Sequence, residues 1–154
     1  MHLYQSGDFV WNRPDVLTDG EGNVRFHLLG DACAPTRRLR LQDLAGREAV
    51  LIRQSLPALF PRYELEIYGR PLGALIRQGS SFFPDVPGWT LTGEPDGLEY
   101  GLCLDGTPAA DCRMEAGRLR LTCSDLPSGM TALGLMLTVN CLILSGPGRH
   151  FGEP

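Results

Sequence analysis

The sequence predicts a mainly β fold, a barrel-like domain wrapped around one apolar helix near the C-terminus at about residues 129–145. Three observations carry the prediction. Nineteen Gly and twelve Pro punctuate the 154 residues at short intervals, the turn spacing of an all-β sandwich or barrel. The runs between them tend to alternate apolar and polar residues, the period of a half-buried strand. One stretch, Met130 to Leu144, is apolar around nearly its whole circumference, as a helix enclosed by protein is. The length fits a single domain over 1–154 with a core of its own.

The strands can be read in order. Val16-Leu17-Thr18 and Val24 to Leu29 flank the turn Asp19-Gly20-Glu21-Gly22. Arg38 to Asp43 and Glu48 to Gln54 flank Leu44-Ala45-Gly46. Tyr63 to Ile67 and Leu72 to Gln78 flank Tyr68-Gly69-Arg70-Pro71. Leu98 to Leu104 and Ala109 to Arg113 flank Asp105-Gly106-Thr107-Pro108, and Arg118 to Thr122 reads as a late strand. Each turn holds Gly, which takes positive φ without steric cost, and two hold Pro with φ preset. Ile52-Arg53-Gln54 recurs as Ile76-Arg77-Gln78, and Glu64 to Arg77 resembles Glu99 to Arg113. We read this as a repeated hairpin within one domain.

For the helix, Asp125 or Ser128 is placed to cap it, Pro127 precedes it, and Gly146-Pro147-Gly148 stops it. Fifteen residues, Met130 to Leu144, at about 1.5 Å each fall short of the roughly twenty a bilayer needs. Asn140 would also be costly in lipid. The expectation is a buried helix and no transmembrane span.

Composition narrows the function. All fourteen basic residues are Arg, which reads first as base composition of the source genome and only second as anion binding. A net charge of −4 argues against a nucleic-acid partner, which needs a cationic face. The charge is uneven, however: Cys33 to Ser80 carries eight Arg against four acids, and Ser81 to Pro127 three against eight. Five Cys, at 33, 103, 112, 123 and 141, form no C-x-x-C and no zinc spacing. They read as free, mostly buried thiols of a cytoplasmic protein. The first residues lack a basic start followed by an apolar core, so no signal peptide is expected.

The residues from Val50 to Gln78 resemble a known pattern, I-x-Q-K/S-L … P-x-Y-x-I … G-x-x-x-A-x-I-x-K. Phe82-Phe83, Pro87-Gly88-Trp89, Thr92-Gly93 and Tyr100 fall where that pattern expects them, and the closing helix resembles an L-x-L-A-x-x-I-x-I-D tail with Asn140 at the Asp position. The pattern is that of the tubby C-terminal-domain superfamily, specifically its LURP-one-related group with small bacterial members, distantly related to phospholipid scramblases. The resemblance runs over nearly the whole chain and rests on the order of many weak motifs. It departs at Asp111 to Gly117, where a hairpin is shortened, and where Arg or Gln stands for expected Lys. It implies a closed antiparallel barrel of about a dozen short strands around the central helix. It also implies an anionic-lipid site made of surface cations, as tubby-type members use.

Catalytic constellations are scarce. The three His are His2, His27 and His150; none pairs at metal-ligand spacing, and no G-x-S-x-G, H-E-x-x-H or P-loop occurs. Asp43/Glu48, Glu64/Glu66 and Asp105/Asp111 read as solvated hairpin positions. The segment Gly146 to His150 offers an anion cradle with Arg149, although turn punctuation explains it more simply. The candidate binding cluster is Arg37, Arg38, Arg40, Arg53 and Arg77. Arg38 and Arg40 share a strand face, and Arg53 and Arg77 hold equivalent places in the repeat. A shared face would suit phosphate groups; the competing reading is a solvated face paired with Glu48, Glu64 and Glu66. Trp11, Trp89, Phe82 and Phe83 read as core, with Phe82-Phe83-Pro84 alternatively a loop contact for membrane or partner.

The functional expectation is a non-enzymatic cytoplasmic domain, without metal or cofactor, that binds an anionic phospholipid or other phosphate-bearing ligand and sits peripherally at the membrane. The alternatives are a protein-interaction scaffold, a scramblase-like membrane-associated protein, or an undetected enzyme.

Overall fold

Apolar side chains on alternate residues need one shared interior, and here they find it around the helix. The computed structural model describes residues 1–32, 36–55, 60–125 and 127–146. Its strands are β1 (His2–Ser6), β2 (Asp15–Thr18), β3 (Val24–Asp31), β4 (Arg38–Gln42), β5 (Glu48–Ser55), β6 (Arg62–Ile67), β7 (Arg70–Gln78), β8 (Ser81–Asp85), β9 (Trp89–Glu94), β10 (Glu99–Leu104), β11 (Thr107–Glu115) and β12 (Arg118–Thr122). The helix α1 (Pro127–Leu144) follows. The strands form one antiparallel sheet in the order β8-β7-β6-β5-β4-β3-β2-β1-β12-β11-β10-β9. Ladders join consecutive strands throughout, except that β1 pairs with β12 and that β8 and β9 are the two edges. The result is a nearly closed barrel with the expected architecture.

Three strands escaped the sequence reading: β1, β8 and β9. Phe82-Phe83-Pro84 therefore lies in a strand and not a loop; Phe82 points inward and is buried, while Phe83 points out, 49% exposed. Two turns are tighter than expected. Only Tyr68-Gly69 and Asp105-Gly106 lie between strands, each with positive φ at both residues, the type I′ pattern. The helix begins at Pro127, so Ser128 sits inside the first turn and does not cap it. Pro suits that first position because its missing N–H would have no partner there.

The inward rows include Leu28 of β3, Leu39 and Leu41 of β4, Val50 and Ile52 of β5, and Leu119 and Leu121 of β12, all buried. They surround α1, fifteen of whose eighteen residues are buried. Its length and composition pass for a membrane span, but the strands take up its apolar surface. A Cβ on Gly134 would lie 2.7 Å from Leu65 Cδ1 and 3.2 Å from Val50 Cγ1, so glycine lets the helix approach β5 and β6 closely.

One polar network lies in this interior. Tyr100 donates to Asn140 Oδ1 (2.7 Å), with the Met136 carbonyl 3.1 Å away. Asn140 Nδ2 donates to Gln5 Oε1 (3.1 Å), and Gln5 Nε2 reaches Cys141 Sγ (3.6 Å). Cys112 Sγ lies 3.6 Å from both polar atoms of Asn140. Burial pushes the Cys112 thiol up to about 11, and raises Cys141, Cys123 and the Tyr100 hydroxyl as well. Thiols held protonated are poor nucleophiles. Among the described residues all four cysteines are free, with Cys103 half-buried. Cys33, Pro147, Gly148, Arg149 and His150 lie outside the described residues, and with them the C-terminal anion cradle.

Candidate anion-binding site

A strand shows successive side chains to opposite faces, so each arginine's position follows from its neighbours. On β4 Leu39 and Leu41 point inward, leaving Arg38 and Arg40 on the outer face. On β5 Ile52 points inward and Arg53 outward. Arg38 and Arg53 are direct cross-strand partners, and Arg53 in turn faces Glu64 of β6. Three of the five candidate arginines thus share the outer face.

Arg37 and Arg77 do not join them. Arg37 keeps the parity of Leu39 and lies over the Trp11 ring at 5.1 Å. Arg77 pairs with Phe82 across β7 and β8 and covers its ring at 5.2 Å. Both act on the buried Tyr63, whose hydroxyl burial pushes up and the two guanidiniums pull back down. They belong to one rim of the barrel, near the C-terminal end of α1, where Trp11 and Arg37 meet Thr138 and Leu142. The equivalence of Arg53 and Arg77 fails for a geometric reason. Across β6, Ile52 stands opposite Leu65 and Leu65 opposite Gly73. Ile76 is three residues beyond Gly73, and an odd offset exchanges the two faces of a strand.

On the outer face, a polar groove of about 310 Å³ is lined by Thr36, Arg38, Arg53, Gln54, Ser55 and Glu64. Arg53 is tied to Glu66 (2.8 Å). Arg62 holds Glu64 (2.5 Å) and Asp85 (2.8 Å), bonds that raise its own affinity for the proton. Arg38 and Arg40 make no ion pair with any described residue. Two like charges directly opposite each other on a sheet are unfavourable, and an anion between Arg38 and Arg53 would relieve that. The expected pairing with carboxylates is therefore real for Arg53, through Glu66, and does not extend to Arg38 or Arg40.

A second cleft adjoins along β4. It measures about 380 Å³ and is lined by Pro14, Asp15, His27, Leu29, Arg40 and Gln42, with Leu28 at its floor. His27 and Gln42 are cross-strand partners, as are Leu29 and Arg40. In the sequence His27 reads as a structural strand residue, a surface or satisfied side chain. The signal that would have placed it beside Arg40 is the β3–β4 register, which the loop before β4 did not reveal. Among the described residues no group of three His, Cys, Asp or Glu is placed to hold a metal ion.

The fold has a solved counterpart. The X-ray structure of a protein from Arabidopsis thaliana, AT5G01750, superposes with a TM-score of 0.59 at 14% identity, covering 88% of each chain. At that identity the likeness concerns the fold. Scanned against models of protein families and against curated proteins, the sequence matches none.

Proposed function

We propose that this chain is a tubby-type domain of the LURP-one-related group, a non-enzymatic cytoplasmic module that binds the phosphate of an anionic lipid headgroup on its outer face. The carrying observation is the Arg38–Arg53 cross-strand pair, flanked by Asp31 and Glu64 on the neighbouring strands, in a groove of hydrogen-bonding side chains. Guanidinium forks match phosphate oxygens two at a time, and Arg40 extends the same row. Glu66 already holds Arg53, so a phosphate competes with that carboxylate for Arg53, whereas Arg38, opposite Asp31 across β3 and β4, makes no ion pair with any described residue. The motif order from Val50 to Gln78 and the barrel around an apolar helix support the family reading.

Flotation with vesicles containing anionic phospholipid tests it. Each arginine near an anionic surface contributes about 1 kcal/mol, so Arg38→Ala with Arg40→Ala should weaken binding by roughly 30-fold. A protein that fails to float, or one whose flotation ignores the double substitution, removes the proposal.

A further inference from the structure

The opposite end of the barrel carries a different site. The two-residue turn Tyr68-Gly69 fixes the start of β7, and with it Arg70, against the first turn of α1. Between them lies a cleft of about 290 Å³. Ile67, Leu72 and the buried Trp89 form its apolar walls, and Pro127 closes one side. The polar groups facing it are Arg70, Ser128 and Thr131; among the described residues no carboxylate lines it. Arg70 makes no ion pair with any described residue, and the first turn of α1 contains no acidic side chain. Asp125, two residues before the helix, is the nearest acidic residue in sequence to the positive end of its dipole.

Thr131 supplies an independent sign. It is 7% exposed, yet its hydroxyl has no hydrogen-bond partner among the described residues. Two other hydroxyls bond back one turn, Thr138 of α1 to the Gly134 carbonyl (2.8 Å) and Ser145, just past the helix end, to the Cys141 carbonyl (2.5 Å). Thr131 does not use the Pro127 carbonyl in this way and instead lines the cleft. Its hydroxyl oxygen opens onto the cleft, where it is available to donate to a ligand.

We propose that this cleft binds a small organic anion, a carboxylate or phosphate monoester on a short apolar or aromatic body. Arg70, the Ser128 and Thr131 hydroxyls and the helix N-terminus receive the charge, and Trp89, Ile67 and Leu72 receive the body. The volume lies at the lower end for small-molecule sites. The site is separate from the arginine groove and does not depend on the reading given for it.

Benzoate and phenyl phosphate are the probes, with benzyl alcohol as the same body without charge and inorganic phosphate as the charge without body. The chain has two Trp, so Trp11→Phe leaves Trp89 fluorescence as the reporter, and calorimetry on the unaltered chain repeats the titration. Saturable binding of either aromatic anion is expected, at least about tenfold tighter than either control. Arg70→Gln should weaken it about tenfold, while Arg113→Ala, which lines none of these clefts, leaves it unchanged. Thr131→Val should weaken binding several-fold with Tm unchanged or raised, because the hydroxyl has no partner to lose. No saturable binding of either anion, binding indifferent to Arg70→Gln, or a Tm lowered by Thr131→Val would overturn the proposal.

Discussion

Asn140→Leu tests what sets the rotation of the helix inside its barrel. The substitution keeps the shape of the side chain and deletes its polarity. Gln5, fully buried, then loses the donor to its Oε1 at 3.1 Å. A buried acceptor left unpaired costs about 1–3 kcal/mol. Tyr100 loses the bond at 2.7 Å but keeps the Met136 carbonyl at 3.1 Å, so its share is about 1 kcal/mol. The sum is about 2–4 kcal/mol, which a domain with 5–15 kcal/mol in hand survives folded. For a chain of this length Tm should fall by about 5–15 °C. Gln5→Leu in the same background is the decisive arm. Replacing both partners by apolar groups can be nearly neutral, so the double variant should be more stable than the sum of the singles predicts. Urea unfolding followed by circular dichroism measures all four proteins. A single Asn140→Leu without loss, or a strictly additive double variant, would refute the view that this network is a cooperative unit.

The other predictions concern the same core. Leu135, 1% exposed, cannot accept Asp without burying a charge among apolar groups, so Leu135→Asp should abolish cooperative folding; a folded, soluble variant would contradict the placement of the helix. At Gly73, with φ +134°, an added Cβ would sit 2.2 Å from the Asp85 carbonyl oxygen, so Gly73→Ala should lose at least about 2 kcal/mol. Gly79 has positive φ and open space, so Gly79→Ala should lose only about 1 kcal/mol, and equal losses in urea unfolding would count against the steric argument. The Cys112 thiol, raised to about 11 in the fold, titrates near 8.5 when unfolded. Its contribution is therefore whole below about pH 8.5 and is lost as pH rises toward 11. Tm should decline between about pH 8.5 and 10 less steeply in Cys112→Ser, and identical slopes would remove the assignment.

What could be read from the sequence followed the clarity of its periodicity. Arg38-Leu39-Arg40-Leu41 alternates cleanly, and its two arginines share a face as expected. β1 escaped notice because one of its two inward residues is Gln5, whose polarity breaks the apolar rhythm; only the helix residue it serves, Asn140, explains it. β8 escaped because Phe82 and Phe83 are adjacent and Pro84 follows. Pro is tolerated there because β8 is an edge strand. The triplet Ile-Arg-Gln misled for the converse reason: local identity carries no information about register, and register decides which side of the barrel an arginine meets.

The filled interior decides where recognition can occur. Small barrels often take a ligand into the lumen, but here α1 occupies it, and the amide of its Asn140 is consumed by Gln5, Tyr100 and Cys112. Clefts of small-molecule size consequently lie on the outer face, beside Arg38 and Arg40, and at the end where α1 begins. These surroundings differ in charge. The outer groove includes Glu64 and lies beside the Arg53–Glu66 pair, so its net field is weak and its strength depends on many contacts made at once, as a lipid surface provides. Among the described residues the end cleft has one cation, no carboxylate and apolar walls, conditions that suit a single small anion. Charge substitutions should therefore act differently at the two places. Loss of Arg38 should reduce vesicle binding in a salt-dependent way, whereas loss of Arg70 should remove a discrete, saturable site.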